Sequence, residues 1–321
     1  MAKEFGWCFI GCGKLANIVA DQITKSGRHK IVSVYARRYE ASKEFADKFM
    51  ATAYKTAEEA IRAEGVDGVY IVTPHSSHYE YAKLSLNNGK PVLCEKAFTV
   101  NLGQAKEVIE LANSKNLYIA EAMWTWFSPI ARKVKEWLDN GEFGRVQSCI
   151  VDMSTNSQLY APRVTRPDAA GGAILDVGVY AVYYLYKLFG KPDSIECKGT
   201  VRDGIDWDEE IWFIYKDGKK FKAISSIVVE GITPNMELHG DKASIKVNEL
   251  HYANHAEFND SKGDKKEITA DGSYLNEFDI VADEIRQGLT ESKYVTHKNT
   301  LDIMEILDEC RKQIGLKYDF E

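Results

Sequence analysis

The sequence predicts an α/β fold of two domains: an N-terminal doubly wound parallel sheet, followed by an α+β domain with a large, mainly antiparallel sheet. Three observations support this prediction. The chain has 321 residues, which is too long for one simple hydrophobic core. Strand and helix patterns alternate in its first third. After about Trp124, strand patterns follow one another with little helix between them.

The first third alternates short apolar segments, typical of strands, with segments of helical periodicity. We expect strands over residues 5–10, 31–35, 69–72 and 91–94, and helices over residues 17–25, 79–88 and 102–115. Asn88 and Gly89, followed by Pro91, are typical of a helix end. Such alternation indicates βαβ units, whose strands form a parallel sheet with helices on both faces.

The rest of the chain is dominated by strand patterns. We expect strands over residues 145–154, 194–201, 209–215, 221–229, 235–239 and 243–247, and helices over residues 128–140, 274–288 and 299–314. The apolar segment 177–189 is too short to cross a bilayer and contains Lys187, so we expect a buried helix there. The predicted domains are residues 1–123 and 124–321, with the last helix a candidate to pack back on the first domain.

Composition and charge exclude several classes of protein. Hydrophobic residues make up 45% of the chain and charged residues 28%, the balance of a folded globular protein. The net charge of -7 disfavours nucleic acids as partners, and no membrane partner is expected. The six cysteines are too scattered for a zinc site or a disulfide framework. We therefore expect a cytoplasmic protein with reduced thiols and no metal.

The segment G-C-G-K-L-A follows the first expected strand and opens the first expected helix. In that context it is a dinucleotide-binding (Rossmann) motif. Gly11 permits a tight turn, Gly13 lets the backbone approach a pyrophosphate, and Ala16 allows close helix packing, while Lys14 and Leu15 complete the motif. The alternative interpretation is a glycine-rich turn with no ligand.

Arg37 and Arg38 follow the second expected strand, where an NAD-dependent enzyme usually has an acidic residue that binds the ribose 2′-hydroxyl. Guanidinium groups instead suit a 2′-phosphate. We therefore expect NADP, with NAD as the alternative cofactor. A solvated helix start would account for the arginines but not for the missing acid.

A third loop follows the strand expected over residues 69–72. Its polar and turn residues lie where ligands approach the carboxyl ends of a parallel sheet, and the candidate cofactor contacts are Thr73, Pro74, His75 and His78. Two histidines three residues apart, with no further ligand nearby, do not make a metal site. A helix-capping role is the alternative for His78.

Glu95, Lys96 and Ala97 follow the next strand, and here the chain resembles the Gfo/Idh/MocA oxidoreductases. That family joins a dinucleotide-binding domain to a C-terminal domain with an open sheet. Its Glu-Lys-Pro motif carries a lysine that reaches the nicotinamide and the substrate, which assigns this role to Lys96. Ala97 replaces the proline, so the residue itself gives no reason for a cis-like turn.

Two further segments are similar to the branch of that family that holds dihydrodiol dehydrogenases and NADP-dependent D-xylose dehydrogenases. They are E-A-M-W-T, which contains Trp124 and is followed by Phe127, and G-G-A-I-L-D-V-G-V-Y, which contains Asp176 and ends at Tyr180. Many relatives have histidine in place of this tyrosine. Trp126 departs from the branch, which has arginine there, and this departure concerns the substrate more than the reaction.

The resemblance implies a mechanism. Alcohol oxidation requires a general base near the hydroxyl oxygen. The candidate is Tyr180, whose phenol has a free pKa near ~10 that the neighbouring Lys96 ammonium would lower. Asp176 would bind a substrate hydroxyl or orient Lys96, and Trp124 and Phe127 would form an apolar wall near the nicotinamide. Lys96 is the alternative proton-transfer group.

From the residues alone, the four-residue spacing of Asp176 and Tyr180 places both on one helix face. A helix N-cap for Asp176 and a half-buried core aromatic for Tyr180 are then the better interpretations.

The predicted function is hydride transfer between NADP and a hydroxyl or carbonyl carbon of a sugar, polyol or trans-dihydrodiol. Two alternatives stay open: an NAD(P)-binding sensor without turnover, and a glycoside hydrolase assisted by transient oxidation. Apolar residues on both faces of the segment 223–229 further suggest a homodimer formed through the C-terminal sheet.

Overall fold

The computed structural model describes residues 3–159, 161–231, 234–250 and 255–321. The chain groups into two compact units. The first consists of residues 1–124 with 273–301, and the second of residues 125–272 with 302–321. Each unit therefore combines two separate stretches of chain.

The sheet of the first unit is parallel, as predicted. Its strands in the described part of the chain are β1 (Phe5–Ile10), β2 (His29–Tyr35), β3 (Thr52–Ala53), β4 (Gly68–Ile71), β5 (Val92–Glu95) and β6 (Ile119–Ala122). Their spatial order is β3-β2-β1-β4-β5-β6. The order reverses between β1 and β4, and in such sheets ligands bind outside the carboxyl ends of the strands at that point.

The helices match the predicted ones to within a few residues where a prediction exists, and α2, α3 and α6 are additional. The described chain contains α1 (Lys14–Lys25), α2 (Tyr39–Phe49), α3 (Ala57–Arg62), α4 (His78–Asn87), α5 (Leu102–Ser114), α6 (Trp124–Phe127), α7 (Pro129–Asp139), α8 (Val179–Phe189), α9 (Leu275–Arg286) and α10 (His297–Ile314). Gly89 follows α4 with φ 73°, as expected of a residue that ends a helix.

Aromatic packing explains why a late helix belongs to the first unit. Every residue of β1 is buried, and the Trp7 ring meets the Phe278 ring of α9 edge-on at 4.9 Å between centroids. The indole Nε1 of Trp7 donates to His29 Nδ1 at 3.2 Å, and His29 Nε2 lies 2.9 Å from Asp279. The apolar face of α9 is therefore part of the core beneath the parallel sheet.

The sheet of the second unit is mainly antiparallel, as predicted. Its described strands are β7 (Val146–Asp152), β8 (Ser194–Arg202), β9 (Ile205–Ile214), β10 (Lys220–Ser226), β11 (Asn235–Gly240), β12 (Ala243–Asn248), β13 (His255–Asp260) and β14 (Lys265–Thr269). Their spatial order is β14-β13-β12-β11-β7-β10-β9-β8, and the pairing of β7 with β10 is parallel.

The predicted buried helix is α8, which begins after a π turn over Ile174–Gly178. A Cβ atom on Gly178 would lie 2.8 Å from Ser225 Oγ of β10, so glycine allows the helix to approach the sheet. Among the described residues, the stretch Pro167–Phe189 contains an 18-residue window that is long and apolar enough for a membrane span, and this window is buried inside the protein. Its position is that of a core helix.

Candidate active site

The glycine-rich loop between β1 and α1 leaves the N-terminus of α1 open. Gly11 has φ +111°, and a Cβ atom there would lie 2.6 Å from the carbonyl oxygen of Val72, so the loop needs glycine. A Cβ atom on Gly13 would meet no described atom within 4 Å. Gly13, at the N-cap position of α1, has no side chain that could cap the helix. A helix N-terminus beside open space suits a phosphate anion, because the first N–H groups of a helix have no partner within the helix.

The remaining residues of the motif, Lys14 to Ala16, form the first turn of α1, directly after this loop. Ala16 is fully buried, Leu15 is half-buried, and Lys14 is exposed. The side-chain amide of Asn17 donates to the carbonyl oxygen of Gly13 at 3.0 Å and to that of Cys12 at 3.3 Å. The loop conformation is thus held by the first turn of the helix that it precedes.

The two arginines at the end of β2 are exposed, and Arg38 directly precedes α2. Beside it lies a cavity of about 380 Å³ whose lining residues are Arg38, Tyr39, Glu40, Ala41 and Glu44. Burial raises the pKa of the Cys12 thiol and the charge of Arg38 opposes that rise, so Arg38 acts electrostatically on the glycine-rich loop. A guanidinium there suits a phosphate group near the loop.

The loop after β4 is tied to the loop after β5 by a histidine. Thr73 and Pro74 are half-buried, and His75 is buried. His78 has no exposed surface, and its Nδ1 and Nε2 lie 2.9 Å from the carbonyl oxygens of Ala97 and Thr73. The ring is thus held between two backbone carbonyl groups, and its predicted contact with the cofactor stays a prediction. Among the described residues no cluster of potential metal ligands occurs.

Lys96 stands at the start of the turn that follows β5. The peptide bond between Lys96 and Ala97 is cis, although the proline of the family motif is absent. Lys96 is 8% exposed. The N–H of Phe98 donates to Glu121 Oε1 at 3.0 Å, and the hydroxyl of Thr300 donates to Glu121 Oε2 at the same distance. A buried carboxyl group of β6 therefore holds this turn.

Further buried acids lie in the same unit. The hydroxyl of Tyr70 donates to Glu95 Oε1 at 2.6 Å. Burial raises the pKa of Glu121 to about 7. Burial, and then the charge of Glu95, raise the pKa of Glu277 well above its usual value, and its carboxyl oxygens find no hydrogen-bond partner among the described residues. Burial thus favours the neutral form of Glu277 and raises the pKa of Glu121, the acid that holds the turn after Lys96.

The second unit holds the other two predicted catalytic residues. Asp176 lies within the π turn and is 5% exposed, and Tyr180 is in the first turn of α8 and is 8% exposed. Arg163 Nη2 donates to Asp176 Oδ1 at 2.7 Å. The residue at the N-cap position of α8 is Gly178, so Asp176 is not its N-cap. The expected α-helix start near Asp176 is a π turn, a feature frequent at functional sites.

The aromatic side chains just before α7, which include the predicted apolar wall of Trp124 and Phe127, are buried. Trp124 is stacked on Tyr274 with 4.3 Å between ring centroids. Phe127 has no exposed surface, and its place in an apolar wall near the nicotinamide stays a prediction. Trp126 packs against Tyr184 at 5.7 Å, and Lys187 Nζ lies 5.2 Å from its ring centroid. Trp126 therefore belongs to the core of the second unit.

Three residues that were not predicted as site residues make contacts at the candidate site. Arg163 donates to Asp176, Glu121 accepts the N–H of Phe98 in the turn after Lys96, and Thr300 donates to Glu121. Arg163 lies in a short 3₁₀ turn, Pro162–Thr165, where no periodic pattern marks a buried face. Glu121 was noticed only as part of the motif that contains Trp124. Its position in an otherwise apolar strand, β6, is the one signal that could have identified it as a buried polar residue.

Comparison with protein families matches both parts of the chain. A family described as an oxidoreductase family with an NAD-binding Rossmann fold matches residues 5–122. The GFO/IDH/MocA C-terminal domain matches residues 131–246.

Individual proteins are similar over nearly the whole chain. Mouse trans-1,2-dihydrobenzene-1,2-diol dehydrogenase is 30% identical, covering 97% of this chain and 97% of the relative. The D-xylose 1-dehydrogenase (NADP(+)) of Hypocrea jecorina is also 30% identical, with 91% and 85% covered. A solved structure of a 3-ketoreductase from Actinomadura kijaniata has a TM-score of 0.87 at 19% identity, with 97% and 98% covered, which supports the fold alone.

Proposed function

The chain belongs to the Gfo/Idh/MocA oxidoreductase family, and from this premise we propose that it transfers a hydride between NADP and a hydroxyl or carbonyl carbon of a sugar, polyol or trans-dihydrodiol. The observation that carries the proposal is the open N-terminus of α1 beneath Gly13, with Arg38 acting electrostatically on the same loop. We further propose residues 1–123, with which residues 273–301 pack, as the cofactor domain, and the rest of residues 124–321 as the substrate-binding and dimerisation domain.

The residues of the first unit fit NADP. The N–H groups at the start of α1 would hold the pyrophosphate, and Arg37 and Arg38 would hold the 2′-phosphate by charge-assisted hydrogen bonds. The half-buried Thr73 and Pro74 are proposed to contact the cofactor from the loop after β4, together with His75. When bound, the nicotinamide supplies the acceptor or donor of the hydride.

The substrate-binding and proton-transfer roles are proposed for Lys96, Asp176 and Tyr180. The guanidinium of Arg163 donates to Asp176 Oδ1 at 2.7 Å and holds this carboxyl group in place. Asp176 would accept a hydrogen bond from a substrate hydroxyl. Because Arg163 and the substrate hydroxyl then occupy this carboxyl group, we give the proton that leaves the alcohol to another group. We assign this step to the phenolate oxygen of Tyr180, with Lys96 stabilising the negative charge; direct transfer to Lys96 is the competing arrangement.

The names of the relatives guide the choice of substrate class. The mouse relative is named for a ring diol and the Hypocrea relative for a pentose. Both compounds carry hydroxyl groups on adjacent carbons. An acceptor such as Asp176 beside the reacting hydroxyl suits compounds of that kind, because a second hydroxyl can be held while the first is oxidised.

We also propose that the protein is a homodimer and that it is cytoplasmic. Ile150, in the central strand β7 of the large sheet, is 43% exposed, and Val201 of β8 is also exposed. Apolar side chains exposed on a sheet are typical of a surface that another chain covers. Light scattering at micromolar concentration tests this part, and a mass of about 36 kDa would contradict it.

The decisive experiment is a substrate panel of aldoses, inositols and trans-dihydrodiols, run with NADP and then with NAD. We expect the highest kcat/KM with NADP, followed by absorbance of NADPH. A protein that binds NADP tightly but oxidises no member of the panel would be a sensor. Cleavage of a glycoside without net formation of NADPH would identify a redox-assisted hydrolase.

A further inference from the structure

The peptide group that joins Ala97 to Phe98, just after Lys96, is hydrogen-bonded at both its oxygen and its nitrogen. Both partners are buried side chains. The carbonyl oxygen of Ala97 lies 2.9 Å from His78 Nδ1. The N–H of Phe98, in the same peptide group, donates to Glu121 Oε1 at 3.0 Å. His78 and Glu121 come from different elements, α4 and β6, and both are almost completely buried.

Each of these two side chains has a second contact that fixes its orientation. His78 Nε2 lies 2.9 Å from the carbonyl oxygen of Thr73, and Glu121 Oε2 accepts the hydroxyl of Thr300 at 3.0 Å. Because a carbonyl oxygen only accepts hydrogen bonds, a ring nitrogen of His78 that carries a proton donates to the carbonyl oxygen that it faces. The two carbonyl oxygens, on opposite sides of the ring, fix its orientation.

We propose that His78 and Glu121 are positioning residues for Lys96, which act by clamping the peptide group between Ala97 and Phe98. The clamp fixes the orientation of the turn from both sides, so it also sets the direction in which the Lys96 side chain leaves the backbone. The inference rests on the proposed role of Lys96 in the reaction. It adds that this role depends on two buried side chains that act through the backbone of the turn.

Position matters here because catalytic groups lose much of their effect when they are displaced by about 1 Å. A turn held only by its own backbone could rotate this peptide group. Rotation would break both hydrogen bonds and leave the polar atoms of His78 and Glu121 without partners in a buried site, which is costly. The clamp therefore selects one orientation of the turn.

The test compares four variants of the full-length protein. His78→Phe and Glu121→Met keep approximate volume but remove the hydrogen bonds. Glu121→Gln keeps an oxygen that can accept the N–H of Phe98. Tyr118→Phe is the matched control, because it removes another buried hydroxyl of the same unit, which donates to Glu284 at 2.7 Å.

We expect kcat to fall by about tenfold or more in His78→Phe and Glu121→Met, with the Kd for NADP changed by less than about threefold. Glu121→Gln should retain most of kcat, and Tyr118→Phe all of it. If His78→Phe and Glu121→Met bind NADP and keep normal kcat, the clamp has no positioning role. A loss of NADP binding that accounts for the whole loss of activity would also overturn it.

A second measurement does not depend on activity or on the identity of the substrate. Brief acetylation of the cofactor-free protein, followed by peptide mapping, gives the labelling rate of Lys96 relative to the exposed Lys216. This ratio should rise several-fold in His78→Phe and Glu121→Met and stay near the original value in Glu121→Gln. Unchanged labelling in the first two would refute the clamp, whether or not Lys96 proves to be catalytic. If Glu121→Met does not fold, Thr300→Val replaces it, and His78→Phe is kept.

Discussion

Arg163 and Asp176 form an ion pair in which the guanidinium Nη2 lies 2.7 Å from the carboxylate Oδ1. The carboxylate is buried in the π turn before α8, whereas the arginine side chain is 38% exposed. The pair thus places a partly accessible cation beside a residue proposed to bind a substrate hydroxyl. The family resemblance leads one to expect an arginine at position 126, which is Trp126 here, so Arg163 is a guanidinium that the sequence pattern did not indicate.

The first prediction concerns this pair. Arg163→Met should destabilise the protein by about 1 to 3 kcal/mol, because it removes a charge-assisted hydrogen bond to a buried carboxyl group. It should also raise KM for the substrate more than it lowers kcat. Urea unfolding and steady-state kinetics measure the two effects. Arg163→Lys should recover part of both, and equal kinetics in Arg163→Met and the original protein would show that the pair serves the fold alone.

The second prediction concerns cofactor choice. The double variant Arg37→Ala with Arg38→Ala should weaken NADP binding by about 10- to 100-fold, because it removes charge-assisted hydrogen bonds to the 2′-phosphate. Binding of NAD should hardly change. Calorimetric titration with each cofactor provides the comparison. Lys25→Ala, at the far end of α1, controls for the loss of positive charge. Equal losses for both cofactors would remove the arginines from 2′-phosphate recognition.

The third prediction concerns Lys96. Lys96→Ala should lower kcat by about 10² to 10⁴, the range of a general acid or base or of the group that activates one. The folded state should persist, which circular dichroism can establish, and cofactor affinity should change little. Near-normal kcat in this variant would exclude Lys96 from the chemistry.

The fourth prediction follows from the pKa of Glu121, raised by burial from 4.5 to about 7. Between these two pH values the folded protein binds more protons than the unfolded chain at this residue, so stability falls as pH rises. The loss amounts to about 3 kcal/mol across that window and is complete above pH 7. Glu121→Gln cannot ionise and should lose this component. Urea unfolding at intervals from pH 4.5 to pH 8 should therefore give a shallower slope in the variant, and parallel slopes would contradict the assignment.

The local parts of the fold could be predicted from the sequence. The strand Phe5–Ile10, the turn at Gly11 and the helix after it follow from neighbouring residues, and the structure has them as predicted. Helix α2 was missed because its polar surface conceals a narrow apolar face that includes Phe45. Strand β14 was missed because it has a single half-buried position, Ile268, among exposed residues. Strand β13 was missed as well, although its Ala256 and Phe258 are buried at alternate positions.

The contacts around the candidate site depend on residues that lie far apart in the chain. Glu121 meets Thr300 across 179 positions, and Trp7 meets Phe278. Periodicity and motifs describe only neighbours, so neither the docking of α9 nor the partners of Glu121 could be derived from them. The glycine-rich loop was predictable for the opposite reason, since its chemistry depends on six consecutive residues.

The last prediction concerns Tyr180, which distinguishes this chain from relatives with histidine there. Tyr180→Phe keeps the ring and removes only the hydroxyl, so stability and cofactor affinity should hardly change. Oxidation should slow by about 10² or more if the hydroxyl accepts the proton. Tyr184→Phe is the matched control, because Tyr184 is buried one turn later on α8 and packs against Trp126. It should oxidise substrate at the original rate.

Tyr180→His separates a base from a simple hydrogen-bonding contact. An imidazole has an intrinsic pKa near ~6.5, so it can accept the proton and should recover part of the rate lost in Tyr180→Phe. Its pH optimum should lie below that of the original protein, because the group that must be deprotonated loses its proton at lower pH. The measurement is the pH profile of kcat for all three proteins. If Tyr180→Phe oxidises substrate at close to the original kcat, Tyr180 is a packing or binding residue, and the proton must pass directly to Lys96.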